Sequence, residues 1–294
     1  MRLEAKRKEQ KRRQLLRRGA TVVAVAAVVL VSVLLITRGS PSPPTTTTTT
    51  TSTLPQHKVT AAEIAAINVE NQRLKGIITI EELAAIAHRA ALQAHANRVA
   101  VAAGCPKSTS SRANTLTFAK APRMTITKTA SYRAVISTTA GKFTVTLDPK
   151  TAPISVNNFV FLARHGFYNC VIFHRVIPLF MNQTGDPTGT GAGGPGYTIP
   201  NENPQAASNS LYQYPPGSVA MANTGAPHSG GSQFFIVTGT GGENLPASYA
   251  LFGHVTSGLN VAATINGMGN ANRNANGVPP IVTNRILSIK IIGP

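Results

Sequence analysis

The 294-residue sequence predicts a mainly β domain, a closed antiparallel barrel or sandwich, carried behind an N-terminal membrane-spanning helix. Three observations predict it. A basic run leads into a long apolar stretch at the N-terminus. A Pro- and Thr-rich segment follows. From Ser131 onward, short runs of period-two alternation are separated by glycine-rich loops.

The net charge of +18 suggests nucleic acid until it is located. Nine Lys and Arg lie within residues 1–18, against only Glu4 and Glu9, and Arg38 follows the apolar stretch. The remaining cations are scattered, with no basic stripe interleaved with aromatics, so a nucleic-acid partner is not expected. Gly19 to Thr37 is almost wholly apolar. Its residues, at ~1.5 Å each, give about 28 Å of helix, close to the hydrocarbon thickness of a bilayer. With nine cations before it, the segment is expected to hold its N-terminus in the cytoplasm. A cleaved signal peptide competes, but the stretch is long for one and no small-x-small site follows Ile36. The expected order is a basic cytoplasmic tail (1–18), a transmembrane signal anchor (19–37), an extended linker (38–58) and a membrane-proximal helical segment (59–104). A catalytic domain (130–294) then lies outside the cytoplasm.

In the membrane-proximal segment, Thr60 with Glu63 and Thr79 with Glu82 fit capping boxes, which predicts two short helices. Leu83, Ile86 and Ala90 recur at helical spacing, and Gly104–Cys105–Pro106 marks the stop. His88 and His95 lie seven apart without a third ligand and predict no metal site. Cys105 and Cys170 could pair in an oxidising compartment, or Cys170 could serve as a small buried apolar residue; two cysteines give no framework pattern.

In the C-terminal domain, Lys142 to Leu147 alternates, with Phe143, Val145 and Leu147 on one face, after a first strand and a turn at Ala140–Gly141. Val156, Phe159, Val160 and Ala163 mark a helix stopped at Gly166. Val171–Ile177, Ser218–Ala222, Gln233–Val237 and Tyr249–Val255 read as strands, Leu259–Ile265 as a second helix, and Ile286–Ile291 as the closing strand, with Leu287, Ile289 and Ile291 alternating. Gly189, Gly191 and Gly194 spell GxGxxG, but Pro195, Gly196 and Pro200 forbid the helix a dinucleotide site needs. Ser232, His228 and Asp186 lack a nucleophile elbow. After Ser131 the acids are Asp148, Asp186, Glu202 and Glu243, a poor basis for a paired-carboxylate hydrolase.

Four blocks carry a resemblance: FHRVIPLFMNQTGDPTGTGAGGPGY from Phe173, VAMANTG at Val219–Gly225, GSQFFI at Gly231–Ile236 and LFGHV at Leu251–Val255. In this order and spacing, from about Tyr132 to Gly293, the chain resembles the cyclophilin family of peptidyl-prolyl cis-trans isomerases, in a membrane-anchored bacterial form. The resemblance implies an eight-stranded antiparallel barrel capped by two helices. It also implies rotation about X–Pro bonds in extracytoplasmic proteins, with proline-containing polypeptides as partners and no cofactor or metal. By the same resemblance Arg175 is the catalytic donor and Gln183 its orienting partner. Phe180, Met181, Phe235 and Leu245 match the proline pocket, Tyr249 stands where many members have His, Asn223 and Gln233 engage the peptide backbone, and Ala222 and Thr224 line the adjacent groove. His174 reads as structural. Departures are Asn244 in place of the tryptophan of cyclosporin-sensitive members, which implies weak cyclosporin binding, and Thr224, Leu179 and Thr184 at positions usually small. A proline-segment binding module or chaperone of the same fold, with little turnover, is the alternative; an envelope-anchoring structural role is a third.

Overall fold

A computed structural model describes residues 80–109, 112–204 and 214–294. The basic tail, the apolar stretch, the linker, the first of the two expected membrane-proximal helices and Thr79 lie outside the described residues. Among those described, no helix is long and apolar enough to cross a membrane. Residues His88–Pro294 form one compact unit.

The second of the two helices expected before the β domain, α1, runs Ile80–Ala102 and is followed by Gly104 at φ +86°, the left-handed stop its sequence calls for. Its buried positions are Ala96 and Ala100, whereas Ile80 and Ile86 are exposed. The apolar stripe expected through Leu83, Ile86 and Ala90 is therefore not the packed face. Two alanines a helical turn apart make that face, because small side chains allow close approach, and Gln93 beside them donates to the Thr283 carbonyl and accepts from its amide (2.7 Å).

The sheet begins with the hairpin of β1 (Tyr132–Thr138) and β2 (Gly141–Leu147). On β2 the alternating Phe143, Val145 and Leu147 are all buried. Helix α2 (Pro153–Arg164) opens with proline in its first turn, where a missing N–H costs nothing. Its free amides at Ile154 and Ser155 are taken by the Glu202 carboxylate (2.8 and 2.7 Å), an anion at the positive end of the helix dipole. The expected strand Val171–Ile177 is shorter: only β3 (Arg175–Ile177) pairs fully, and Ile172 makes an isolated bridge to Arg285. Then come β4 (Met181–Thr184), β5 (Ser218–Met221), β6 (Phe234–Val237), β7 (Leu251–Ser257), helix α3 (Leu259–Gly267) and β8 (Ile286–Ile292).

The strand order is β3-β4-β6-β5-β7-β2-β1-β8, antiparallel throughout, an eight-stranded half-barrel with helices packed on it. Instead of full strand pairing at the seam, three backbone bonds join the chain entering β3 to the chain entering β8: Cys170 N to Ile286 O, Ile286 N to Val171 O, and Phe173 N to Asn284 O. On β8 a register shift opposite Ser137 and Thr138 moves Ile286 into the core and leaves Leu287 half-buried, so the simple alternation through Leu287 does not hold. The main core is aromatic at its centre, with the Phe159 ring 5.2–5.4 Å from Tyr168, Phe234 and Phe252.

Residues 112–129, which the sequence left unassigned, lie along the half-barrel. Ala113 N donates to Pro187 O, Phe118 N to Pro195 O, and Thr125 N to Asn157 Oδ1. Cys105 and Cys170 form a disulfide, with Cα atoms 5.4 Å apart across a 65-residue separation. Beside it Arg285, almost fully buried, donates to the carbonyls of Pro106 and Lys107. The disulfide constrains the unfolded chain by closing a long loop. Replacing both cysteines by serine is expected to cost about 2–4 kcal/mol in denaturant unfolding. An unshifted midpoint at unchanged slope would show that the bridge adds nothing.

Candidate active site

Strands β5 and β6 are buried at every position, so they read as continuous rather than alternating runs. One face feeds the main core through Val219, Met221, Phe234 and Ile236. The opposite face feeds a second cluster of Met181, Tyr214, Ala220, Phe235 and Val237, against which Phe180, Ala222, Leu245 and Tyr249 pack. That second cluster is the floor of a cleft of about 170 Å³ lined by Arg175, Phe180, Met181, Gln183, Ala222, Asn223, Phe235, Leu245 and Tyr249.

Strand register sets the chemistry of this cleft. Arg175 pairs with Gln183, Gln183 with Phe235, and Phe235 with Ala220, which gives one cross-strand row. Direct cross-strand neighbours have Cβ atoms about 5 Å apart, so the register alone sets a cation, an amide and an aromatic ring side by side. The Phe235 ring meets Tyr249 edge-on, centroids 5.3 Å apart, and the Tyr214 hydroxyl fixes the Tyr249 backbone by donating to its carbonyl (2.7 Å) and accepting from its amide (3.0 Å).

Arg175 is held at three of its donor atoms. Nη1 donates to Gln183 Oε1 (3.1 Å), Nε to the Asn276 carbonyl (3.1 Å) and Nη2 to Asn276 Oδ1 (2.7 Å). All three acceptors are neutral, so they orient the guanidinium without cancelling its charge. Partial burial lowers its pKa, yet it stays protonated at every ordinary pH. Asn276 adopts φ +48°, a left-handed conformation that asparagine tolerates better than most residues. Sequence reading missed it, although an Asn-Gly pair in an Asn-rich loop signals such a turn.

The hold continues outward. Gln183 Nε2 donates to Gln233 Oε1 (3.0 Å), and Gln233 Nε2 donates to the carbonyls of Gly191 and Gly193 (2.9 Å each). These carbonyls belong to the loop that carries the GxGxxG spelling. Asp186, fully buried, organises it by accepting from Thr188 N (2.7 Å), Thr188 Oγ1 (2.7 Å) and Gly191 N (2.6 Å), and these bonds pull its pKa down against burial. A Cβ at residue 193 would fall 2.0 Å from Asp186 Oδ1, so this approach requires glycine. Gln233 is not among the side chains that line the cleft, and its amide joins Gln183 to this loop. Asn223 lines the cleft, its side chain donating to Ser248 O (2.8 Å). Thr224 does not line it: the residue is exposed, with its amide on Ser229 Oγ. Ser232 is buried, its hydroxyl donating to Gly185 O, so no triad forms with His228 and Asp186.

The model of the family "Cyclophilin type peptidyl-prolyl cis-trans isomerase/CLD" matches residues 133–291. The chain belongs to that family. Its enzymatic class is X–Pro isomerisation. The cyclophilin-type domain is 47% identical over 116 residues to peptidyl-prolyl cis-trans isomerase B of Bacillus subtilis, across 40% of this chain and 77% of that one. It is 45% identical over 128 residues to peptidyl-prolyl cis-trans isomerase-like 1 of Aspergillus fumigatus, across 43% and 77%. A crystal structure of a Cryptosporidium parvum cyclophilin-type isomerase is 29% identical, with TM-score 0.47, covering 55% of this chain and 98% of its own.

His174 of the cyclophilin domain is buried, and neither ring nitrogen has a hydrogen-bond partner. Burial lowers its pKa below the ordinary 6.5, against the attraction of Asp186 and with repulsion from Arg175. The sign follows from linkage: the folded state prefers the neutral ring, so the contribution is complete above the unfolded value of about 6.5 and is lost as pH falls below it. Thermal stability should decline on acidification from pH 6.5, and His174→Gln should flatten that slope. An unchanged slope in the variant would assign the acid sensitivity elsewhere.

Proposed function

We propose that this isomerase accelerates X–Pro rotation in extracytoplasmic proteins while tethered to a bacterial cell membrane by the apolar segment 19–37. The apolar stretch behind nine cations supports the tether, and a disulfide joining the chain's two cysteines suits an oxidising compartment.

The peptide bond resists rotation because its nitrogen donates its lone pair to the carbonyl, which raises a barrier of about 18–20 kcal/mol. At X–Pro the two isomers are nearly balanced, so only the rate needs help. A side chain that donates to the prolyl nitrogen localises the lone pair there and weakens the C–N double-bond character. Arg175 supplies that donor, with Gln183 orienting it. Phe180, Met181, Phe235 and Leu245 grip the ring, Tyr249 and Ala222 close the adjacent walls, and Asn223 engages the peptide backbone. Burying an apolar group of this size stabilises by about 1.5–3 kcal/mol, enough to hold the ring while the preceding carbonyl turns. Gln233 acts through Gln183, and Thr224 meets chain extending beyond the cleft. No metal, nucleophile or cofactor enters this scheme.

The observation that carries this reading is a guanidinium held by neutral amide oxygens while it lines an apolar cleft. It favours catalysis over mere proline binding, because a binding module needs the pocket but not an oriented cation. Asn244, exposed on the turn before Leu245, offers no ring to a large macrocycle, so cyclosporin should bind weakly. In a protease-coupled proline-peptide assay the protein should be active, Arg175→Ala should lose about 10²- to 10³-fold, the usual worth of one aimed donor, and micromolar cyclosporin should leave the rate nearly unchanged. Equal rates for wild type and Arg175→Ala would contradict the assignment.

A further inference from the structure

The turn joining β3 to β4 is Ile177–Pro178–Leu179–Phe180, closed by Phe180 N donating to Ile177 O (3.1 Å). Pro178 occupies the second position and Leu179, at φ +61°, the third. This pattern belongs to a type II turn, whose third position favours glycine because a Cβ there crowds the backbone. Leucine is a poor choice for it. Nor does the fold use the side chain, since Leu179 is 79% exposed, the most of any exposed large hydrophobic among the described residues. Its backbone, by contrast, is fixed on both sides. The amide donates to Asn266 Oδ1 (2.8 Å), and the carbonyl accepts from Gly241 N (3.2 Å). An isolated surface leucine needs no explanation, but one held in a disfavoured conformation points to a role outside the folding of the chain.

Its position suggests that role. Leu179 directly precedes Phe180, a wall of the cleft, and its carbonyl is bonded to the turn Thr240–Asn244 that leads to Leu245, another wall. Leu179 is therefore tied, through its own chain and through its carbonyl, to the segments that carry two walls of the cleft. We infer that Leu179 is a specificity-determining residue, which contacts an apolar side chain flanking the X–Pro pair and selects clients that carry one. The inference rests on the proposed cleft as the proline site and adds the class of sequence it prefers.

The test uses the purified full chain and paired peptides that differ only in Leu or Ser at the residue before or after the X–Pro pair. Wild type should prefer Leu at one of these positions by about fivefold in kcat/KM, carried mainly by KM, as expected for one partly exposed apolar contact. In Leu179→Gly and in Leu179→Asn, two residues that adopt positive φ readily, the Leu-to-Ser ratio should collapse toward one. The melting temperature of Leu179→Gly should match or exceed that of wild type. A wild type with no preference, a ratio that survives in both variants, or an equal loss on both peptides would overturn the inference. Wild type inactive on every peptide would instead refute the proline-site reading itself, and this inference with it.

Discussion

The site depends on one cation that is fixed in place without being neutralised. Had a carboxylate held Arg175, the pair would have locked the side chain but spent its charge locally. Amide oxygens of Asn276 and Gln183 fix the planar fork by geometry and leave its charge uncancelled beside the cleft it lines. The scarcity of acids in the domain fits this arrangement. Asp148 serves a turn, accepting from Lys150 and Thr151, Asp186 serves a loop, and Glu202 caps a helix.

From that centre the dependence runs outward through the sheet. Antiparallel register puts Arg175, Gln183 and Phe235 in one row, so the guanidinium and the aromatic wall of the cleft share a rigid base. Gln233 ties the row to the Asp186 loop, and that loop is tied in turn to the upstream segment through Ala113 and Phe118. The disulfide and Arg285 anchor the start of this segment near the half-barrel seam. Orientation at the cleft is thus the inner end of a series of side-chain and backbone bonds reaching residues that precede the sheet.

Much of the fold was legible because it obeys simple periods. The alternation of Phe143, Val145 and Leu147, and the helical spacing of Val156, Phe159, Val160 and Ala163, each report one buried face. Strand β4 was not legible. Its Met-Asn-Gln-Thr is too short and too polar to show a period, and its buried Asn182 and Thr184 are satisfied by the carbonyls of Ala262 and Ile172, 80 and 12 residues away. The slip on β8 depends on a bulge, which no alternation reports. Part of the cleft was legible through the motif blocks, two of which hold Arg175, Phe180, Met181, Gln183 and Phe235, and the fold brings these together with Leu245, which lies outside every block. Asn276 and Tyr214 escaped because their roles come from contacts across 101 and 35 residues, and cysteine pairing needed the Cα separation.

If geometry as well as charge makes Arg175 effective, lysine cannot replace it, since an ammonium lacks the fork that Asn276 and Gln183 hold. The most direct measurement is the kcat of Arg175→Lys on a proline peptide at a pH where both side chains are charged. A loss of more than about tenfold with little change in KM is the predicted result, the mark of an interaction made in the transition state. A lysine variant that turns over like wild type would contradict the account.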